Sequence, residues 1–298
     1  MKKLTTAQRV QVIKALCEGC SVNSIVRMTG IAKTTILRLL IDAGRACVNF
    51  EDEQLRDLTC DRIEADEVWG FCHSKDKNVR PENLDKPGHG NVWTWVAIDP
   101  ESKLIVSWLM GDRDSGHATA FMSDLANRLA TRPQLTTDSL GVYADAVRDA
   151  FGRVGVNYGQ IHKIYGKDGD QDHRYSPATC IGCERKAIIG NVDPKHISTS
   201  IVERSNLTLR MSQRRWTRLT NAHSKKFENM EAAFALHACV YNWTRRHSSL
   251  SGETPAMAAG LTDHAWTIAE VVGLLEASER AEIAAGSMKR GPYRKRVK

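Results

Sequence analysis

The sequence predicts an α/β protein, built on a mixed five-stranded sheet with flanking helices and preceded by an all-α segment. Residues 5–46 carry apolar side chains at helical spacing and contain no strand-like run. From residue 62, three strand-like runs are followed by helical and strand-like segments in alternation up to about residue 166. The 298 residues are 42% hydrophobic and 26% charged, which is ordinary for a globular chain and excludes disordered and fibrous classes.

Three short helices are predicted within residues 1–46. Ser21 fits the N-cap of the second helix, and Gly30 fits its end. The third helix then places Ile36, Leu39 and Leu40 on its buried face. This order is typical of a helix-turn-helix DNA-binding domain, although a generic three-helix bundle shares the pattern. The side chains expected to face phosphates and base edges are Lys33, Thr34, Thr35 and Arg38.

The central part of the chain predicts one sheet-containing domain at 62–226, joined to the helices by an acidic, irregular linker at 47–61. Strand-like runs cover residues 62–73, 91–99, 104–111, 134–138 and 156–166. Helices are predicted at 117–130 and around 142–151. The first three strands have hairpin-type connections, which predict an antiparallel meander, and the whole order matches the RNase H-like mixed sheet.

The remainder is predicted to be a polar insertion followed by helices. The insertion covers about 167–200, and one long helix follows at about 201–219. A C-terminal helical segment occupies 227–285, and a basic tail occupies 286–298.

The net charge of +7 is concentrated in three segments. Residues 1–46, residues 203–226 and the ten residues after Met288 each carry +6, which leaves −11 on the rest of the chain. Three basic segments on an acidic body predict a polyanionic partner, and double-stranded DNA fits; three solvated faces are the alternative. The tail would contact phosphates without sequence preference through Arg294, Lys295 and Arg296.

Three acids from three different elements are the candidate catalytic and metal-binding residues. Asp66 lies within the first strand, Asp138 ends the fourth, and Glu203 lies near the start of the long helix. Two carboxylates about 4 Å apart repel by about 4 kcal/mol at an effective dielectric of about 20, and a divalent cation removes that cost. Carboxylate oxygens suit Mg²⁺ or Mn²⁺, and two such ions can serve phosphodiester displacement. Spacing alone leaves other acids open, namely Glu67, Asp99, Asp112 and Asp114.

A basic stripe is predicted along the same long helix. If residues 201–219 form one continuous helix, Glu203 shares a face with three arginines, which would lead a DNA backbone to the acids. A solvated basic face is the alternative. The arginines are Arg210, Arg214 and Arg218.

The cysteines and the apolar runs indicate the compartment. Cys180 and Cys183 form a C-x₂-C pair, but tetrahedral zinc needs two further ligands, so zinc is only a weak prediction. The eight cysteines lack the density of a disulfide framework and fit a reducing compartment. The N-terminal sequence does not resemble a signal peptide, and no apolar run approaches the roughly 20 residues of a membrane helix. We expect a cytoplasmic, nucleoid-associated bacterial protein with no membrane partner.

Several stretches carry a family resemblance. The chain resembles bacterial insertion-sequence transposases of the IS-one family, which have the DDE, RNase H-like catalytic fold. The matching stretches are ADEVWGF around Asp66, LTTDSLGVY around Asp138, STSIVERSNLTLRMSQRRWTRLTNAHSKK around Glu203, and YNWTRRHSSLSGETPAMAAG at 241–260.

The resemblance implies a DDE transposase of an insertion sequence. In such an enzyme Asp66, Asp138 and Glu203 would bind two Mg²⁺ or Mn²⁺ ions. Water would attack at the element end and free a 3′-hydroxyl, which would then attack target DNA. Synapsis of two element ends implies at least a homodimer on DNA. The alternatives are an RNase H-like endonuclease or resolvase without strand transfer, and a non-enzymatic helix-turn-helix regulator.

Overall fold

A computed structural model describes residues 3–83, 88–152, 155–166, 180–217 and 220–285. Within these ranges it contains a mixed sheet of six strands in the order β3-β2-β1-β4-β5-β6. The strands are β1 (Arg62–Cys72), β2 (Gly90–Ile98), β3 (Ile105–Gly111), β4 (Gln134–Asp138), β5 (Asn157–Tyr165) and β6 (Cys180–Ile189). The helices are α1 (Thr6–Cys17), α2 (Val22–Thr29), α3 (Lys33–Gln54), α4 (Ser115–Arg128), α5 (Val142–Phe151), α6 (Ser200–Ser212), α7 (Phe227–Trp243), α8 (Pro255–Ala258) and α9 (Ile268–Ala284).

The strand directions are consistent with an RNase H-like fold. Strands β1, β2 and β3 form the antiparallel meander predicted from their short connections. Strand β4 pairs parallel to β1, and β5 pairs parallel to β4. The order places β1 and β4 side by side at the centre of the sheet.

The prediction of five strands is wrong by one edge strand. Strand β6 lies within the predicted insertion and pairs antiparallel with β5. Its side chains are mostly exposed, as expected for an edge strand open to solvent. Its sequence, CIGCERKAII, therefore lacks the apolar alternation that marks a half-buried strand.

Helices cover both faces of the sheet. Trp95, which pairs with Glu67, packs edge-on against Tyr143 of α5 with ring centroids 5.5 Å apart. On the opposite face, Trp216 Nε1 donates to Thr94 Oγ1 (3.3 Å). Asp66 shares this second face with Gly70, against which Met230 of α7 packs. Consecutive acids of β1 thus face different helical layers.

The N-terminal helices begin and end largely where the sequence predicts. Ser21 caps α2 by accepting the Ser24 N–H (3.1 Å), and Gly30 ends it with φ of 68°. Ile36 and Leu40 are buried. The predicted irregular segment at 47–61 is instead helical as far as Gln54.

The extension of α3 has a packing cause. Cys47 and Glu51 lie one turn apart and are both buried. Asn242 of α7 donates to Glu51 Oε1 (2.9 Å) and also bonds the backbone N–H and carbonyl of Ile105. Because this polar network satisfies Glu51, an acidic segment can remain helical inside the protein.

None of the described helices combines the length and apolarity required to cross a bilayer.

Candidate functional site

The sheet brings two of the predicted acids together at its centre. Strands β1 and β4 pair in parallel up to Glu64 and Thr136, so two residues further along Asp66 and Asp138 lie side by side. Ligand oxygens of Asp66, Glu67 and Asp138 all lie within 4.8 Å of one another. Because β4 ends at Asp138, carboxylates from both faces of β1 reach this point. The structure thus forms a three-carboxylate group at the β1–β4 junction.

Asp66 carries the electrostatic cost of this arrangement. The pKa of Asp66 is raised to about 6, chiefly by burial and also by the negative charges of Asp138 and Glu203, while hydrogen bonds act in the opposite direction. One of these bonds comes from Asn206 of α6, whose Nδ2 donates to Asp66 Oδ2 (2.9 Å). The amide fixes the orientation of the carboxylate without neutralising it.

Glu67 belongs to the same group, although nothing in the sequence favoured it over the other candidate acids. Its side chain is only 1% exposed, and burial raises the pKa of Glu67 to about 7. The hydroxyl of Tyr143 donates to Glu67 Oε1. The Arg113 guanidinium lies 3.0 Å from Glu67 Oε2 and 3.5 Å from Asp138 Oδ2, so it links two members of the group.

Glu203 lies on the first turn of α6, outside the 4.8 Å group formed by the described residues. It accepts a hydrogen bond from Thr199 Oγ1 (2.7 Å) and forms an ion pair with Lys163 of β5. Its charge nevertheless acts on Asp66. Asp66 thus lies within electrostatic range of both Asp138 and Glu203. The carboxylate of Glu203 is itself paired with Lys163.

A buried glutamate on β1 sets the position of α6. Glu64 is 5% exposed, and its Oε2 accepts the backbone N–H groups of Ile201 (2.7 Å) and Val202 (3.1 Å). Thr199, the N-cap residue, makes no side-chain cap bond, so Glu64 caps the helix from across the interface. Since Glu64 lies two residues before Asp66 on the same strand, the contact ties Glu203 to Asp66.

If the acids carry out the metal-dependent DNA cleavage that the family resemblance implies, Glu64→Leu should lower this cleavage by about 10- to 100-fold, the range found when groups that orient metal ligands are removed. Glu64→Gln keeps an acceptor oxygen and should lose less. DNA binding should be unchanged in both variants. Equal activity of Glu64→Leu and the wild type would show that the cap does not position Glu203.

The donor set fits a divalent cation. It consists of carboxylate oxygens, the ligands of Mg²⁺ and Mn²⁺, and at least one of them is kept partly protonated near neutral pH by burial and like charge. A bound cation would lower the raised pKa values of Asp66 and Glu67 again, since opposite charge favours the ionised form.

The pH dependence of stability tests this point on the metal-free chain. The pKa of Asp66 is raised from 3.8 to about 6 on folding, so its ionisation disfavours the folded state. The penalty is absent below pH 4 and complete above pH 6. In EDTA, the unfolding free energy of Asp66→Asn should therefore rise by about 2 kcal/mol relative to that of the wild type as the pH increases from 4 to 7.5. This is less than the full pKa shift would give, because Asp66 remains partly accessible to solvent. A pH-independent difference between the two proteins in urea unfolding would contradict the raised pKa.

A second group of possible metal ligands has a structural role. Asp112, Asp114 and His117 come together at the start of α4. Asp114 Oδ1 caps this helix by accepting the His117 N–H (2.8 Å) and also bonds the His117 ring Nδ1 (2.9 Å). Helix capping accounts for these contacts.

The two thiols of the C-x₂-C pair lie close together on β6. Cys180 Sγ and Cys183 Sγ are 3.8 Å apart and exposed. Within the part of the chain that the structure describes, no third ligand atom completes a group with them. Zinc at this position stays a weak prediction.

The predicted DNA-facing residues of α3 lie at its start. Lys33, Thr34 and Arg38 are exposed, and Thr35 is half-buried. Residues Arg218, Arg294, Lys295 and Arg296 lie outside the described ranges.

The prediction of a continuous arginine stripe along one helix is wrong. Helix α6 ends at Ser212, and Arg214 lies in a turn beyond it. Arg210 is half-buried and donates to the backbone carbonyls of Trp216 (3.0 Å) and Trp69 (3.4 Å). The helix ends early because the chain turns to bury Trp216, which is 2% exposed.

Comparisons with known proteins give a distant structural likeness and no family. The sequence matches no protein-family model, and a search of curated proteins gives no significant match. Among solved structures, the chain is similar to the piggyBac transposase in a cryo-EM structure of its synaptic complex with hairpin DNA. The TM-score is 0.38 and the identity 9%, over 97% of this chain and 73% of that chain. This level of similarity is too low to assign a family, so membership of the IS-one family stays a prediction.

Proposed function

We propose that the chain is a DDE-type transposase that binds the ends of a bacterial insertion sequence and cleaves and joins DNA strands with a divalent cation. The observation that carries this proposal is the group of Asp66, Glu67 and Asp138 at the junction of the two central strands, with the charge of Glu203 acting on it. Perturbed carboxylates grouped in this way are characteristic of functional sites.

Asp66, Asp138 and Glu203 would hold two Mg²⁺ or Mn²⁺ ions. Such cations neutralise the carboxylates, polarise a phosphodiester and favour ionisation of the attacking hydroxyl. Asn206 would keep Asp66 oriented, and Glu64 would keep α6 at the correct distance. Lys163 and Thr199 both contact Oε1 of Glu203, so a cation would bind this carboxylate through Oε2.

Two displacements at phosphorus make up the proposed reaction. In the first, water forms a P–O bond, the bond to the 3′-oxygen breaks, and that oxygen takes a proton and becomes a 3′-hydroxyl. In the second, this hydroxyl forms a bond to a phosphorus of target DNA, and the displaced oxygen takes its proton. Neither step needs a covalent enzyme intermediate or a redox partner.

The rest of the proposed enzyme serves DNA binding. Residues 1–46 would form the helix-turn-helix domain and read the element end through Lys33, Thr34, Thr35 and Arg38. Residues 47–61 would connect it to the catalytic domain at 62–226, with the insertion at about 167–200. The helical segment 227–285 and the basic tail 286–298 would complete the chain. A homodimer would bring two element ends together in the cytoplasm, at the nucleoid.

Supercoiled plasmid gives a simple test of the metal-dependent chemistry. We expect nicking with Mg²⁺ or Mn²⁺ and none in EDTA. A chain that nicks without joining strands would be a nuclease or resolvase. A chain that binds DNA but never cleaves it under these conditions would fit the regulator alternative.

A further inference from the structure

A second site lies apart from the carboxylates, between the N-terminal helices and the segment that joins α6 to α7. It is a groove with a volume of about 260 Å³, several times the ~30 Å³ share of one water molecule. We call it the basic groove. Five cationic side chains line it: Lys33, Arg214, Arg215, Lys225 and Lys226. No Asp or Glu is among the described residues that line it.

No described carboxylate compensates the charges of the basic groove. Across the described residues, none of the five cations forms an ion pair with a carboxylate. Arg215 is half-buried, and its only described polar contact is with Ser224 Oγ, which accepts from Nε (3.1 Å). Partial burial removes water from this guanidinium, and no carboxylate among the described residues takes its place. A bound anion would supply the missing interaction.

A buried polar group of the groove also lacks a hydrogen-bond partner among the described residues. Asn229 is 9% exposed and lines the groove, yet its Oδ1 has no hydrogen-bond partner within the described structure. Rotation of the amide by 180° would direct Nδ2 to that position, so the side chain can serve as a donor. The first residues of α2 also line the groove, where the helix dipole favours an anion.

We propose that the basic groove binds a backbone phosphate of double-stranded DNA and so holds the N-terminal helices and the catalytic domain on the same duplex. This inference rests on the proposed function for its choice of DNA over other phosphate compounds. Phosphate contacts of this kind fix the register of a protein on DNA without reading sequence.

The distance between the basic groove and the acids suits a contact that positions DNA for cleavage. Ser224 forms an isolated bridge with Cys72 at the end of β1. Cys72 lies six residues beyond Asp66, or ~20 Å along an extended strand. One strand of DNA rises ~3.4 Å per nucleotide, so a duplex lying along β1 would span about six base pairs between groove and acids. A contact at that distance would align the scissile bond.

The test measures binding of the full-length chain to a labelled duplex in EDTA over a range of salt concentrations. Lys225→Gln and Lys226→Gln change exposed side chains and should fold normally, and Arg215→Gln is made beside them. Arg148→Gln is the matched control, because Arg148 is exposed on α5, at the opposite face of the sheet, and pairs with Asp145. We expect each groove variant to bind several-fold more weakly, to any sequence alike, with a salt slope lower by about 0.9. The control slope should not change.

Two results would overturn the proposal, and a third would show that the proposed chemistry fails while the groove still binds DNA. Unchanged slopes for Lys225→Gln and Lys226→Gln, with tight binding by the wild type, would overturn it. So would saturable binding of inorganic phosphate that is lost in Arg215→Gln while duplex binding is unaffected, since the groove would then be a site for a free anion. Failure of the proposed chemistry would look different: no metal-dependent cleavage by the wild type, with the slope changes still present.

Discussion

Asp138→Asn is expected to lower metal-dependent cleavage of DNA by at least about 10³-fold, equivalent to about 4 kcal/mol of activation free energy. The substitution removes one charge from the three-carboxylate group and with it a ligand oxygen aimed at Asp66 and Glu67. The Asn side chain has the same shape as the Asp side chain. The Leu140 N–H, which donates to Asp138 Oδ1 (2.9 Å), can donate to the amide oxygen instead. DNA binding should therefore survive.

Asp145→Asn supplies the control for this variant. Asp145 is exposed on α5, and Arg148 is its ion-pair partner in the described structure. Its loss changes the net charge by the same amount as Asp138→Asn but leaves the β1–β4 junction untouched. Cleavage by Asp138→Asn at the rate of the control would remove Asp138 from the site.

Gly44→Ala is expected to destabilise the fold by about 3 kcal/mol or more. A Cβ at this position of α3 would lie 2.7 Å from the Cα and the carbonyl oxygen of Ala232 in α7. These are backbone atoms, so relief requires the two helices to separate, and such overpacking in a closely packed core typically costs 1–3 kcal/mol or more. Because α3 carries the predicted DNA-facing residues at its other end, the same change should weaken cleavage of bound DNA.

Gly273→Ala is the matched control. Gly273 also lies within a helix, α9, but an added Cβ would meet no atom within 4 Å. Alanine is the better helix former, so this variant should gain about 0.5–1 kcal/mol. Opposite signs for the two variants in denaturant unfolding are the expected result. Equal and small effects would mean that α3 and α7 do not pack as closely as the structure shows.

Local signals in the sequence predicted an element well where its ends are determined by residues adjacent in the chain. Ser21 and Gly30 bound α2 because a cap and a left-handed glycine need only neighbours in the chain. Strand β4 begins and ends at the predicted residues, 134 and 138. The sequence analysis proposed Asp66 and Asp138 as members of one site, and the structure brings them together by pairing β1 parallel to β4.

Features that depend on distant partners could not be predicted in this way. The helical end of α3 depends on Asn242, which lies 191 residues from Glu51 in the chain. Helix α6 ends where Trp216 becomes buried, and no glycine or proline marks that point. Glu64 looks like an ordinary polar residue in a strand, yet it caps a helix 137 residues away.

The acids of β1 show the same limit at the site. Alternation along a strand assigns Asp66 and Glu67 to opposite faces, so the strand pattern provides no reason to group them. Their carboxylates meet only because β4 ends beside them and leaves the junction open. Lys163 and Arg113, which pair with the acids, come from β5 and from the loop after β3.

The most direct test of the proposed transposase activity is a strand-transfer assay. The purified chain is incubated with end-labelled DNA from the flanks of its own gene and with a supercoiled plasmid, in Mg²⁺ or Mn²⁺, beside Asp138→Asn. We expect nicking at the flank and a labelled product joined to the plasmid, both metal-dependent and both absent with Asp138→Asn. Metal-dependent nicking that never yields joined product, or joined product that persists with Asp138→Asn, would contradict the proposal.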